Sequence, residues 1–166
     1  MTQNKITSEQ GIINFYHAFT NSDFELMATM LHEDCTLEFP GTSFPNVVKG
    51  RDNIIALLTG VQQAMGGTLA FHTKWAMFKD DMVAAHWYTT GNPVHGGAYM
   101  NRGVAWYKLK DGLVHEFLDF FDTQIITAFW PSGGLTEDFS AAEFTVNNLY
   151  NYAPSNVQRY FIDSVK

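Results

Sequence analysis

Trp106-Tyr107-Lys108-Leu109-Lys110-Asp111-Gly112-Leu113-Val114-His115-Glu116-Phe117-Leu118-Asp119-Phe120-Phe121-Asp122 is the stretch on which the fold turns. Two apolar, β-favouring runs flank Lys110-Asp111-Gly112, and Asp-Gly between such runs favours a tight hairpin turn. The second run delivers a carboxylate, Asp119, among aromatic residues. Such a carboxylate is either solvated at the strand end or held in an apolar pocket, where desolvation lifts its pKa towards the range useful for proton transfer. Period-two alternation sets Leu113, His115, Phe117, Asp119 and Phe121 on one face, and Val114, Glu116, Leu118, Phe120 and Asp122 on the other.

Upstream lie three more β segments, at about 68–78, about 82–91 after Lys79-Asp80-Asp81, and about 98–109 after a Gly-Asn-Pro-Val-His-Gly-Gly loop. Helical spacing of Ile12, Phe15, Tyr16 and Phe19 predicts a first helix from Ser8, with Thr7 or Ser8 as N-cap. Ser22 with Glu25 reads as a capping box for a short second helix through Leu31. His32-Glu33-Asp34 ends it and leads into an extended Cys35-Thr36-Leu37-Glu38-Phe39, stopped by Pro40. Gly41 to Gly50 reads as a loop, and Asp52 begins a third helix burying Ile54, Ile55, Leu57, Leu58 and Val61 before Gly66-Gly67. Helices first and a meander afterwards indicate an α+β fold, a curved antiparallel sheet with the N-terminal helices on its concave face.

Past Asp122, Ile125 to Trp130 reads as a short helix, Ser140-Ala141-Ala142-Glu143 as a capping box, and Pro154 to Val165 as a last amphipathic helix. At 166 residues the expectation is one domain, 1–166, with a core at about 8–130 and a helical extension at about 131–166.

A formal charge of −7, with no cluster of Lys and Arg, removes the electrostatic basis for holding a nucleic-acid backbone. The single Cys35 excludes an intrachain disulfide. No run approaches the roughly 18 apolar residues of a membrane span, and the polar start lacks an apolar targeting core, so a cytoplasmic protein is expected. Aromatic residues make up 15% of the chain, enough to line a cavity, fill a core or cover a subunit face. His32-Glu33-Asp34-Cys35 concentrates metal-donor types, but consecutive side chains diverge and no metal is expected. His95-Gly96-Gly97 lacks the following helix that a phosphate cradle needs.

The element order, with Leu31-His32-Glu33-Asp34-Cys35-Thr36-Leu37-Glu38-Phe39-Pro40, Lys49-Gly50-Arg51-Asp52-Asn53-Ile54 and Phe117-Leu118-Asp119-Phe120-Phe121-Asp122, resembles the NTF2-like superfamily. Within it the chain is most similar to the SnoaL-like branch of polyketide cyclases and limonene epoxide hydrolases. The resemblance implies a cone-shaped α+β fold around an apolar pocket and a homodimer paired through the convex sheet face. It also implies that Asp119 faces the pocket as acid or base. Other machinery of the superfamily is missing. Phe39 stands where ketosteroid isomerases keep a catalytic Asp, and their first-helix Tyr falls at Phe15, with Tyr16 beside it. Ala84 to Thr90 supplies neither the Arg nor the second Asp of the epoxide hydrolases, and the cyclases' polar pair falls near Gly103 and Ala105.

The inward parity implied by the resemblance is Tyr99, Asn101, Gly103, Ala105 and Tyr107, with small residues leaving space. Asp119, Asn101 and His72 are accordingly the expected catalytic residues: Asp119 as proton shuttle, Asn101 as oxyanion donor, and His72 by its similarity in location to the dehydratases' His. Tyr16, Phe15, Phe39, His86, Tyr99, His115 and Phe117 are the expected pocket lining. A histidine in an aromatic sheet also serves as a packed core residue, so His72 and His86 carry both readings. The function expected is cofactor-free acid–base chemistry, of cyclase, dehydratase or isomerase type, on a small hydrophobic carbonyl compound. A non-catalytic small-molecule-binding module and a structural or interaction dimer are the alternatives.

Overall fold

The structure is a computed structural model, and it describes residues 3–39, 47–94, 97–123 and 125. Helices α1 (Glu9–Thr20) and α2 (Phe24–Thr29) lead into β1 (Leu31–Glu38) and β2 (Val47–Lys49). Helix α3 (Arg51–Ala64) precedes β3 (Ala70–Lys79), β4 (Met82–Gly91), β5 (Tyr99–Lys110) and β6 (Leu113–Phe121). The six strands form one curved, unclosed sheet in the order β2-β1-β6-β5-β4-β3. It is antiparallel except for β1 and β6, which pair in parallel and join the two ends of the chain's described core.

Local chemistry explains most of these limits. Asp111 and Gly112, at φ 55° and 80°, provide the left-handed backbone that a tight hairpin needs, and Asp80 does the same between β3 and β4. Helix α2 is capped by Asp23, whose carboxylate accepts from Leu26 N at 3.0 Å; Ser22, in a left-handed conformation, precedes the cap. This corrects the Ser22 capping box by one residue. β1 begins at Leu31, so His32, Glu33 and Asp34 are strand residues and not a connecting turn. The parallel pairing with β6 reaches back to Leu31 and draws them in. β2 forms inside the expected 41–50 loop by pairing with the end of β1.

Period-two burial puts Val83, Ala85, Trp87 and Thr89 of β4 on the same face as Tyr99, Asn101, Ala105 and Tyr107 of β5. Against that face α1 packs Phe15, Tyr16 and Phe19, which meet Tyr107, Phe117 and Phe71 at ring-centroid separations of 4.8–6.2 Å. Helix α3 adds Ile54, Leu57 and Ala64. Burial of this apolar surface is the main favourable term for the fold. The opposite face of the sheet leaves Trp75, Met77, Val104, Trp106 and Phe120 partly exposed. No helix among the described residues is long and apolar enough to cross a membrane. The helices expected at 125–130, 140–150 and 154–165 lie, apart from Ile125, outside the described residues.

One buried polar side chain locks α3 to the rest. Gln62 accepts from Leu69 N at 2.9 Å and donates to Leu69 O at 3.0 Å and Phe19 O at 3.2 Å. Replacing it with Leu orphans three backbone groups away from water, so Gln62→Leu is expected to lower unfolding stability by about 2–4 kcal/mol. Urea denaturation of both proteins checks this, with unchanged stability as the contrary result.

Candidate active site

Register across the sheet places Asp119 in a row of small neighbours, Ala85 opposite Ala105 and Ala105 opposite Asp119. The rows on either side are larger, with Val83, Tyr107 and Phe117 in one and Trp87, Gly103 and Phe121 in the other. Asp119 therefore shares its row of the inner face with two alanines, between rows that carry aromatic rings. It is 6% exposed.

Burial pushes the Asp119 carboxyl up to about 8, because ionising it would place an unsolvated charge among those rings. The nearby Trp87 indole N–H works in the opposite direction. The two groups nevertheless do not meet in hydrogen-bond geometry: Trp87 Nε1 and Asp119 Oδ1 are both buried without a partner. Tyr107 donates its hydroxyl to that of Tyr16 on α1. Burial first, and then the charge of Asp119, raise the Tyr16 phenol well above its ordinary range. The Tyr107 phenol is raised by burial, by Tyr16 and by Asp119. Burial likewise raises Tyr99, with Asp119 adding a smaller push. Three buried phenols that stay protonated thus share the inner face with a carboxyl that is mostly neutral at pH 7.

Asn101 is buried on this face but has no hydrogen to spare. Its Nδ2 donates to Tyr99 Oη and to Asp122 O, each at 3.2 Å, while its Oδ1 accepts from Arg102 N at 2.7 Å and Asp122 N at 3.3 Å. The expectation of Asn101 as an oxyanion donor is corrected to that of a clamp on Tyr99 and the end of β6. Phe15 contacts Tyr16, Tyr107 and Phe117 edge-on, and Phe117 stacks on Tyr107 at 4.6 Å. Phe39, just past β1, lies 5.4 Å from Phe121.

The histidines expected at the site, His72, His86 and His115, are elsewhere. His72 pairs with Tyr88 on the outer face, stacks on it at 4.5 Å and shares a 3.0 Å hydrogen bond with Thr90 Oγ1. His86 is also outside, 5.7 Å from Trp75. Both corrections follow from strand parity, since Trp87 and Thr89 take the inner positions of β4. His115 sits at a β-bulge, where Lys108 faces Glu116 and Leu109 faces Val114. The bulge takes His115 out of alternation with Asp119, and its ring lies against His32 at 5.1 Å. Along β1 His32 Nδ1 comes within 4.0 Å of Asp34 Oδ2, but no group of three that could hold a metal occurs among the described residues.

Sequence reasoning missed Trp87, and the signal was available: it shares the parity of Ala85 and Thr89 and stands opposite Gly103, a position without a side chain. Gly103 itself leaves no space, contrary to expectation. A Cβ there would come within 2.6 Å of the Trp87 ring and 2.2 Å of Phe120 O.

A family profile for the SnoaL-like domain matches residues 12–117. The chain belongs to the SnoaL-like domain family. This SnoaL-like domain is similar in fold to Bal32a, from a soil-derived mobile gene cassette, at 23% identity and TM-score 0.66, over 72% of this chain and 92% of that one. It is similar to TerC, co-crystallised with polyporic acid, at 19% identity and TM-score 0.61, over 69% and 91%. A third similar structure is an NTF2-like protein from Anabaena variabilis ATCC 29413, at 18% identity and TM-score 0.59, over 68% and 84%. No curated protein sequence matches the chain.

The raised carboxyl has a consequence for stability. Below about pH 4 Asp119 is protonated folded and unfolded; between there and about pH 8 only the unfolded state releases its proton, so rising pH costs stability until the folded group ionises too. Asp119→Asn lacks this term. Relative to wild type it should gain stability from pH 4 to pH 9, on the order of 5 kcal/mol. Denaturant titrations at both pH values test this, and a constant difference between the proteins is the contrary result.

Proposed function

We propose that this SnoaL-like domain binds a small hydrophobic carbonyl compound on the inner face of its sheet, and that Asp119, acting from its neutral form, moves a proton on it. The observation supporting this is a buried carboxyl with an unpartnered oxygen, ringed by aromatic side chains and protonated phenols. A carboxylic acid held neutral at pH 7 is a strong hydrogen-bond donor to a carbonyl oxygen and a competent general acid.

The proton balance closes on one carboxyl. Asp119 gives its proton to the electrophilic carbonyl oxygen as an enol carbon of the same molecule attacks and the carbon–carbon bond forms. The enol O–H proton then passes to the carboxylate and restores the acid. An isomerisation uses the same two transfers, out to oxygen and back from carbon. Neither requires an oxidant or a cofactor. The phenols of Tyr16 and Tyr107 keep their protons throughout and hold the carboxyl's surroundings apolar and dry.

A second reading, binding without turnover, is favoured by Asn101: its complete engagement removes the expected second polar group. Thermal-shift screening separates these readings. Polyporic acid, the ligand in the TerC crystals, is a sensible first probe, followed by polyketide-like, terpenoid, steroid and aromatic-acid compounds. A ligand at about a hundred times its dissociation constant stabilises by roughly 2.7 kcal/mol. Where a stabilising compound is turned over, kcat/KM should be level below pH 8 and fall tenfold per pH unit above it, as the acid ionises, and Asp119→Asn should lose at least about a hundredfold. Ligand binding by both proteins with no turnover supports the binding module; undiminished turnover by Asp119→Asn rules out the acid.

We also propose that a second copy of the chain covers the outer face. Trp75, Val104 and Phe120 share one row across the sheet with His86, and Met77, Ala84, Trp106 and Leu118 share the next, giving a continuous apolar surface. Val104→Glu, a change on the exposed side of β5, is expected to convert a dimer to a folded monomer in analytical ultracentrifugation. A wild type that sediments as a monomer contradicts the pairing.

A further inference from the structure

The inner face holds a second buried polar group that the carboxyl chemistry leaves unused. Trp87 is 2% exposed, and its indole lies across the strand backbone at Gly103, in space that only a residue without a side chain leaves. A Cβ at Gly103 would stand 2.6 and 2.9 Å from Cζ2 and Cη2 of the ring. Real side chains do not approach that closely, so glycine at this position is a condition of the ring's placement. Phe71 meets the indole edge-on at 4.9 Å and Phe121 flanks it at 6.4 Å, so the ring is held from three sides. The Trp87–Gly103–Phe121 row adjoins the Ala85–Ala105–Asp119 row, which brings the indole N–H to the side of the carboxyl.

An indole N–H is a donor only, and burying one without an acceptor is unfavourable. Here neither Trp87 Nε1 nor Asp119 Oδ1 has a partner in hydrogen-bond geometry, although the indole N–H lies near enough to the carboxyl to draw its pKa down. Two such costs side by side, bordered by aromatic rings, are what a site shows when its natural partner is a ligand atom. A neutral carboxyl presents one O–H donor, the indole a second, and a carbonyl oxygen has two lone pairs to accept both.

We propose that Trp87 Nε1 and the Asp119 carboxyl form a two-donor cradle for a single carbonyl or enol oxygen of the ligand. The inference deepens the proposed function and rests on it: the ligand class is narrowed to planar or aromatic ketones whose oxygen reaches the inner face over β5, between Trp87 of β4 and Asp119 of β6. Trp87 thereby supplies the fixed donor that Asn101 does not. Because the indole cannot ionise or rotate away, it holds the oxygen before and after Asp119 has given up its proton, and it meets the charge that builds there in the transition state. Gly103 is a positioning residue, acting through the ring.

A matched pair of probes reads the cradle directly. 1-Tetralone and tetralin share a skeleton and differ at the position of the carbonyl oxygen. Wild type should bind 1-tetralone more tightly than tetralin by calorimetry at pH 6.5. Trp87→Phe, which keeps a ring and removes the N–H, should weaken 1-tetralone about three- to tenfold and leave tetralin unchanged. In the wild type, the proton resonance of Trp87 Nε1–H should move downfield with 1-tetralone and stay in place with tetralin. This measurement decides the matter if Trp87→Phe fails to fold. If both probes bind but the ketone has no advantage, or keeps its full advantage in Trp87→Phe with an unmoved indole resonance, the cradle is overturned while the ligand site stands. If neither probe binds wild type, the ligand site falls with it.

Discussion

The β-bulge at His115 is the constraint from which the site follows. From the Asp111-Gly112 turn, the hairpin starts with Lys110 opposite Leu113 and Leu109 opposite Val114. Continued without interruption, that register would set Asp119 opposite Val104, on the outer face with the exposed aromatics. The extra residue shifts the pairing by one, so that Lys108 meets Glu116 and Ala105 meets Asp119. A slip of one residue exchanges the faces of a strand, and here it exchanges a solvated carboxylate for a buried acid. The same bulge keeps Val114 on the core side along with Phe117, although the two are three residues apart.

Burying a carboxyl is unfavourable, and the surroundings show how the molecule tolerates it. Small neighbours in its own row, Ala85 and Ala105, give it room; Tyr107, Phe117 and Phe121 give it an apolar setting. The group remains neutral instead of ionised, which replaces the large cost of an unpaired charge by the smaller one of an unpaired polar atom. The tyrosine pair contributes a polar contact that satisfies itself, Tyr107 to Tyr16, and that ties α1 to the centre of the sheet. Asn101 does the corresponding work at the end of β6 by pinning Asp122 through both its N–H and its C=O.

Much of this was legible in the chain. Helices α1 and α3 came from three-and-four apolar spacing, and the meander came from alternation bounded by Asp-Gly and Asp-Asp turns. Inward parity along β5 was also readable, because small and aromatic residues alternate there with Arg102, Trp106, Lys108 and Lys110. Less of the site was legible. The family resemblance points to His72 by its location in the strand after α3, whereas strand parity sends both His72 and His86 to the outer face. Asn101 was read as a free donor because sequence lists functional groups and not their partners. Trp87 was passed over because an aromatic residue in a β run resembles core until its unpartnered N–H is seen beside a carboxyl.

By itself, then, the sequence determined the α+β class, the order of elements and the one acid worth following, since these depend on short-range propensity, periodicity and turn chemistry between near neighbours in the chain. Only the tertiary structure decided which face that acid occupies, which groups surround it and how far its pKa rises. Those properties depend on a bulge that breaks local alternation, on the parallel pairing of β1 with β6, and on rings from α1, β4 and β5 that come near Asp119 only after the sheet has formed. Desolvation is a sum over everything within a few ångströms, and in this protein those atoms come from segments about a hundred residues apart along the chain.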